Sequence, residues 1–212
     1  TKEASKLKNF YTVPLEENLI NTASLPGMSI AEGTLAISLF NDVIIDKVYY
    51  NENMHFPLLN SKKGVSYEKI NLEKPSTQYS NWTSASENTG FATPTAKNSQ
   101  DLTQKESDDV ISLSAEFISP DNDGYQDVLE ISYNLPETNL VGSLEVYDSK
   151  GRVVKTIFQN QLLGIKGSTI WDGITNSNEK ANIGIYKFLL TTFDLNGKTK
   201  NYKKVFVIAG KL

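Results

Sequence analysis

The sequence predicts an all-β protein made of two β-sandwich domains in tandem, and three observations carry that prediction. Short runs rich in valine, isoleucine, tyrosine, phenylalanine and threonine are separated by Asn, Asp, Gly and Lys, the composition of strands punctuated by turns. No stretch keeps apolar residues at intervals of three and four over several turns, so long amphipathic helices are excluded. With 212 residues, the chain can hold two domains of about 100 residues, each burying its own core. The boundary falls at 96–109, AKNSQDLTQKESDD, where Leu102 is the one large apolar residue; so little apolar surface does not offset the entropy of ordering a packed segment. The expected layout is a first domain at 1–98, a polar surface linker at 99–109 and a second domain at 110–212.

In the first half, Thr34-Leu35-Ala36-Ile37-Ser38-Leu39 alternates, Asn41-Asp42 makes a tight turn, and Val43 to Tyr50 returns as the partner strand, a hairpin pattern. Seven strand-sized runs follow the linker: VISLSAEFI, DVLEISYNL, SLEVYD, RVVKTIF, STIW, IGIYKFLLTTFD and TKNYKKVFVIA. Their even spacing predicts a sandwich. Leu129, Ile131, Tyr133 and Leu135 occupy alternate positions, which gives that strand one apolar face and one face carrying Glu130, Ser132 and Asn134. Asp148-Ser149-Lys150-Gly151 and Asp194-Leu195-Asn196-Gly197 read as hairpin turns.

Composition narrows the function. Lys and Arg number 21 against 25 Asp and Glu, a net charge of -4 without a long basic run, so a nucleic-acid or anionic-membrane footprint is not expected. The apolar runs are strand-sized and far short of a spanning helix, so no direct membrane insertion is expected. The absence of cysteine excludes disulfides, thiolate metal sites and a cysteine nucleophile.

Two stretches resemble known families. Val43-Ile44-Ile45-Asp46 with Tyr49-Tyr50, Met54-His55-Phe56-Pro57-Leu58-Leu59, Gly64 to Ile70, Asn81-Trp82-Thr83-Ser84-Ala85 and Phe91-Ala92-Thr93-Pro94 resemble the second half of the lamin-tail domain, an Ig-like sandwich also found in secreted bacterial proteins. The family's opening strands are missing before Lys8-Asn9-Phe10. The resemblance therefore implies a first domain incomplete at its N-terminus: either the chain is a fragment with upstream domains in the same polypeptide, or its first sheet has an unpaired edge that another segment fills. Further on, Phe117-Ile118-Ser119-Pro120-Asp121-Asn122-Asp123-Gly124 with Asp127, Val146 to Val154, Trp171-Asp172-Gly173 and Gly184-Ile185-Tyr186 resemble, in order and spacing, the Ig-like domain of the flagellar hook-capping protein family. VYDSKGRVV, GIYKF and the closing VFVIA also resemble the C-terminal sorting domains of one Gram-negative secretion pathway, with SPDNDG and Trp171-Asp172-Gly173 fitting the hook-capping module better. Together these resemblances imply two Ig-like modules in an extracellular or cell-surface setting.

One stretch invites a metal. In S-P-D-N-D-G-Y-Q-D-V, Asp121, Asp123 and Asp127 with the Tyr125 carbonyl offer oxygens for calcium. Equally, Pro120 can set the entry, Asp121 cap the turn and Gly124 take a positive φ. Both readings stay open, the acidic turn slightly ahead, and no other cofactor is indicated. His55, the one histidine, has no cysteine or second histidine to share a zinc ion and reads as packing. No Gly-x-Ser-x-Gly elbow or phosphate loop is present, so no catalytic residue is assigned and the chain is read as non-enzymatic. Trp82 and Trp171 read as core plugs rather than sugar platforms, Asn81-Trp82-Thr83 as a chance glycosylation pattern, and Lys203-Lys204 as protection of a strand edge.

The leading expectation is thus a non-catalytic structural or interaction region of a larger exported bacterial surface protein, facing a protein or glycan partner. Accessory domains of a secreted enzyme come second, and a C-terminal sorting module third.

Overall fold

The computed structural model describes residues 3–102, 109–121 and 124–210. The chain divides into two compact units, Thr1–Gln104 and Lys105–Leu212. It is all-β in both; among the described residues the first unit adds one short α-helix, α1 (Ala4–Lys8), and four single-turn 3-10 helices.

In the first unit β1 (Glu32–Ser38) and β2 (Ile44–Asn51) form the expected hairpin, antiparallel with Leu35 opposite Val48 and a bulge at Ile37/Ser38. Asp42 takes a φ of 64° at the turn, a conformation short polar side chains tolerate. A second antiparallel pair, β3 (Tyr67–Lys69) and β4 (Trp82–Ser84), follows. Both sheets are two-stranded, so among the described residues each strand has one edge without a strand neighbour. The buried apolar side chains of this unit are Met54, Phe56, Ala85 and Ala92, outnumbered by buried polar ones such as Glu68, Asn81, Ser84, Ser86 and Gln100. Its interior is held by hydrogen bonds as much as by apolar packing, so the pairing of its buried polar groups weighs as heavily as apolar contact.

The structure corrects the linker. Residues 99–102, expected on the surface between domains, are packed into the first unit: Ser99, Gln100 and Asp101 are buried, and the Leu102 N–H donates to the Ile70 carbonyl at 2.9 Å. Apolar content was the wrong criterion there, because a buried carboxylate supplies the attraction. The rest of the expected linker, 103–108, lies outside the described residues.

The second unit is a two-layer sandwich. One sheet has the order β10-β7-β5, from β5 (Ile111–Leu113), β7 (Leu129–Asn134) and β10 (Lys166–Trp171). The other is ordered β6-β12-β11-β8-β9, from β6 (Phe117–Ile118), β8 (Leu140–Asp148), β9 (Val153–Leu163), β11 (Gly184–Phe193) and β12 (Thr199–Ile208). VISLSAEFI, read as one strand, is two. Its first part pairs antiparallel with β7 and its second runs parallel to β12. The switch is fixed by backbone bonds on either side of Ala115: Ser114 N–H to the Glu130 carbonyl, and Val207 N–H to the Glu116 carbonyl, each 3.0 Å. RVVKTIF also runs on to Leu163, with irregular register against β8.

Alternation brings Leu129, Ile131 and Tyr133 of β7 against Tyr186, Phe188 and Leu190 of β11. Trp171 stands among them, edge-on to Phe188 and Phe206 at 5.9 and 5.6 Å, while those two rings stack at 4.5 Å. Its indole N–H donates to the Ile174 carbonyl at 2.8 Å, so the largest core ring buries no unpaired donor.

Candidate functional site

The acidic loop is built as a turn folded onto its neighbours. The Ser119 N–H reaches the Gln126 carbonyl at 2.8 Å and the Asp121 N–H the Ser119 carbonyl at 2.7 Å. Asp127 Oδ2 accepts the Gly124 N–H at 2.8 Å, and Gly124 has a φ of 89°, where a β-carbon is disfavoured. Pro120 packs on the turn after Trp171: a β-carbon on Gly173 would sit 2.9 Å from Pro120 Cγ, and Lys180 Nζ donates to the Pro120 carbonyl at 3.0 Å. Two of the motifs behind the hook-capping resemblance therefore meet in space. Of the predicted calcium residues, Asp121, Tyr125 and Asp127 are described and Asp123 lies outside the described residues. Among the described residues no three His, Asp or Glu converge on a metal position.

In the first unit the structure brings together residues that the sequence listed separately. The His55 ring lies 4.1 Å from the Tyr67 ring, and its Nδ1 is 2.9 Å from Ser84 Oγ, which also accepts the Phe56 N–H. Burial of the imidazole, and after it the Lys62 charge, lowers its pKa below the ordinary histidine value. Trp82 is half-buried and bonds the Ser76 carbonyl through Nε1 at 2.8 Å. These rings, with Tyr50, Met54 and Val65, line an open groove of about 570 Å³ whose margin carries Lys62 and Lys63. Sequence reasoning passed over this groove; the flanking of His55 by Met54 and Phe56 was its only local signal. Behind it, Asn81 is buried and tied to the Asn71 backbone in both directions at 2.9 Å, so its amide is not presented for glycosylation.

The second unit exposes two features. On the outer face of the five-stranded sheet, Phe117, Val207 and Ile185 stand in register as a cross-strand apolar row, partly exposed. Lys204 is drawn towards Asp109, Nζ to Oδ2 3.1 Å, beside the part of β12 that β6 does not cover.

Residues 112–208 match the CHU_C Type IX secretion signal domain family. The match runs from β5 to the last residue of β12, almost the entire sandwich. The matched family is a secretion signal domain, so the chain carries the mark of an exported bacterial protein, and the match favours the third-placed sequence reading over the first. Among solved structures the chain is similar to FlgD from P. aeruginosa, at 28% identity over 46% of this chain and 72% of that one, TM-score 0.35. It is also similar to two Porphyromonas gingivalis proteins. PorZ, a surface component of the type IX secretion system, shows 12% identity over 63% of this chain, TM-score 0.35, and latent PorU 15% over 48%, TM-score 0.38. This chain spans 14% of PorZ and 9% of PorU. With TM-scores this low, the functional reading rests on the family match alone. No curated protein matches the chain.

Proposed function

We propose that the second unit is a C-terminal sorting module, which directs the protein through type IX secretion, and that the first unit is part of the cargo. The observation that carries this reading is the family match over almost the entire sandwich. The apolar row of Phe117, Val207 and Ile185 offers the export machinery a flat contact face, since three apolar side chains in register form a patch rather than scattered exposure. The unit acts as a folded address and performs no chemistry.

The first unit serves as a non-catalytic interaction region, the lamin-tail-like module expected from the sequence, with a protein or glycan partner at the cell surface. The observation favouring contact with a partner is the tip of the first hairpin, where Ile37, Leu39, Phe40, Val43, Ile44 and Ile45 are all exposed. Residues 105–212 fused behind a reporter bearing an inner-membrane export signal, in a bacterium with a type IX pathway, should carry the reporter outside the cell. Retention of a folded fusion inside the envelope would sink the sorting role. Val207→Lys with Ile185→Lys should reduce release without unfolding the sandwich.

A further inference from the structure

The groove in the first unit combines aromatic walls with a positive margin, and the hydrogen bonds of its rings define what it can hold. Tyr50 donates its hydroxyl to the Ser29 carbonyl at 2.8 Å and Tyr67 to the Asn51 carbonyl at 3.0 Å. Trp82 uses its indole N–H on Ser76, and His55 its Nδ1 on Ser84. These ring atoms are already engaged by the protein, so apart from His55 Nε2 the walls present carbon faces, widened by the Met54 thioether and Val65. Lys62 and Lys63 are exposed, and among the described residues neither has an ion-pair partner.

Three ligand classes can be separated on this chemistry. A sugar needs planar polar side chains beside its stacking ring, and the lining offers only a serine, Ser29, as an uncharged hydroxyl or amide group outside the rings. A quaternary ammonium ion would suit the rings but meets two lysines. An anion on an apolar body satisfies both halves: the body covers the ring faces and the head lies between the ammonium groups. The groove volume is that of a small-molecule pocket. We propose that this groove binds a small amphiphilic anion, an aryl or aliphatic body with one carboxylate or sulfonate, with Trp82, Tyr67 and His55 as the apolar wall and Lys62 and Lys63 as the anion clamp.

Phenylbutyrate is a suitable probe, and its uncharged counterpart phenylbutanol controls for the apolar half. Titrated into the full chain under tryptophan-selective excitation, phenylbutyrate should give a saturable change from Trp82. Trp171, enclosed in the second unit, supplies a constant background that Trp82→Phe leaves behind. A ligand of this size should bind with a Kd of about a millimolar or tighter. Lys62→Ala with Lys63→Ala, both on exposed positions that leave the fold intact, should weaken phenylbutyrate by about tenfold or more and bring it level with phenylbutanol; added salt should act in the same direction. No saturable change in the wild type overturns the proposal. Equal binding of phenylbutanol and phenylbutyrate by the wild type, unaltered in the lysine variant, overturns it as well, because the groove would then be apolar without preference for an anion.

Discussion

Glu68 on β3 and Ser99, 31 positions apart, meet in the interior of the first unit, with the Ser99 hydroxyl donating to the carboxylate at 2.7 Å. The same carboxylate accepts the Gln100 N–H at 3.1 Å and the Thr93 hydroxyl, while Glu68 itself is only 3% exposed. A buried carboxylate without an ion-pair partner among the described residues must be met by donors on several sides, and here those donors lie on the returning segment. Glu68 thereby fastens residues 93–100 to the sheet.

Glu68→Gln puts an amide N–H₂ where an oxygen received donors. The change should cost about 1.5–3 kcal/mol, the range for hydrogen bonds to a charged group, and should expose 93–102 to hydrogen exchange ahead of the rest of the unit. Unaltered protection of that segment would show that the carboxylate does not hold it.

His55 should make the first unit sensitive to mild acid. Its folded pKa is lowered by burial and by Lys62, with Glu52 opposing, so as pH falls below the ordinary histidine value of 6.5 the unfolded chain takes the proton first. The histidine contribution is complete above that pH and is lost as pH drops towards the lower folded pKa, with a slope of at most about 1.4 kcal/mol per pH unit. Urea melts of wild type and His55→Gln across this window should diverge; parallel pH profiles would remove the histidine as the cause.

Trp171→Ala removes the ring that Phe188 and Phe206 pack against and should cost the second unit about 3–5 kcal/mol, a large part of a domain's usual stability. Denaturant melts followed by near-ultraviolet dichroism report the loss directly. The sorting reading adds that this variant should be retained by the cell.

The Ser119 to Val128 loop should behave as a turn. Gly124→Val should destabilise the second unit through its positive φ, while melting curves with calcium and with chelator should superimpose. A calcium-dependent rise in melting temperature that Asp123→Ala abolishes would instead assign the metal to Asp121, Asp123, Asp127 and the Tyr125 carbonyl.

Asp148 and Asp194 use one device twice: Oδ1 of each accepts two backbone N–H groups of its own turn, from Lys150 and Arg152, and from Asn196 and Lys198. These bonds, led by those from Arg152 and Lys198, hold both carboxyls below the ordinary aspartate value of 3.8. Their stabilising effect is complete above that pH and lost as pH falls through the lower folded values. Asp194→Asn should therefore shrink the acid limb of the second unit's stability profile, and an unchanged limb would exclude this turn as a source.

By itself, the sequence determined the class, the hairpin of β1 and β2, most strands of the second unit and its Asp-Gly turns, because alternation and turn chemistry are local properties that each segment carries with it. Only the tertiary structure decided that β5 and β6 belong to different sheets, that 99–102 fold inward, and that His55, Tyr67 and Trp82 share one groove. Strand pairing and the burial of polar side chains depend on donors and acceptors distant in the chain: Glu68 reads as an ordinary surface residue until Ser99 and Gln100 reach it.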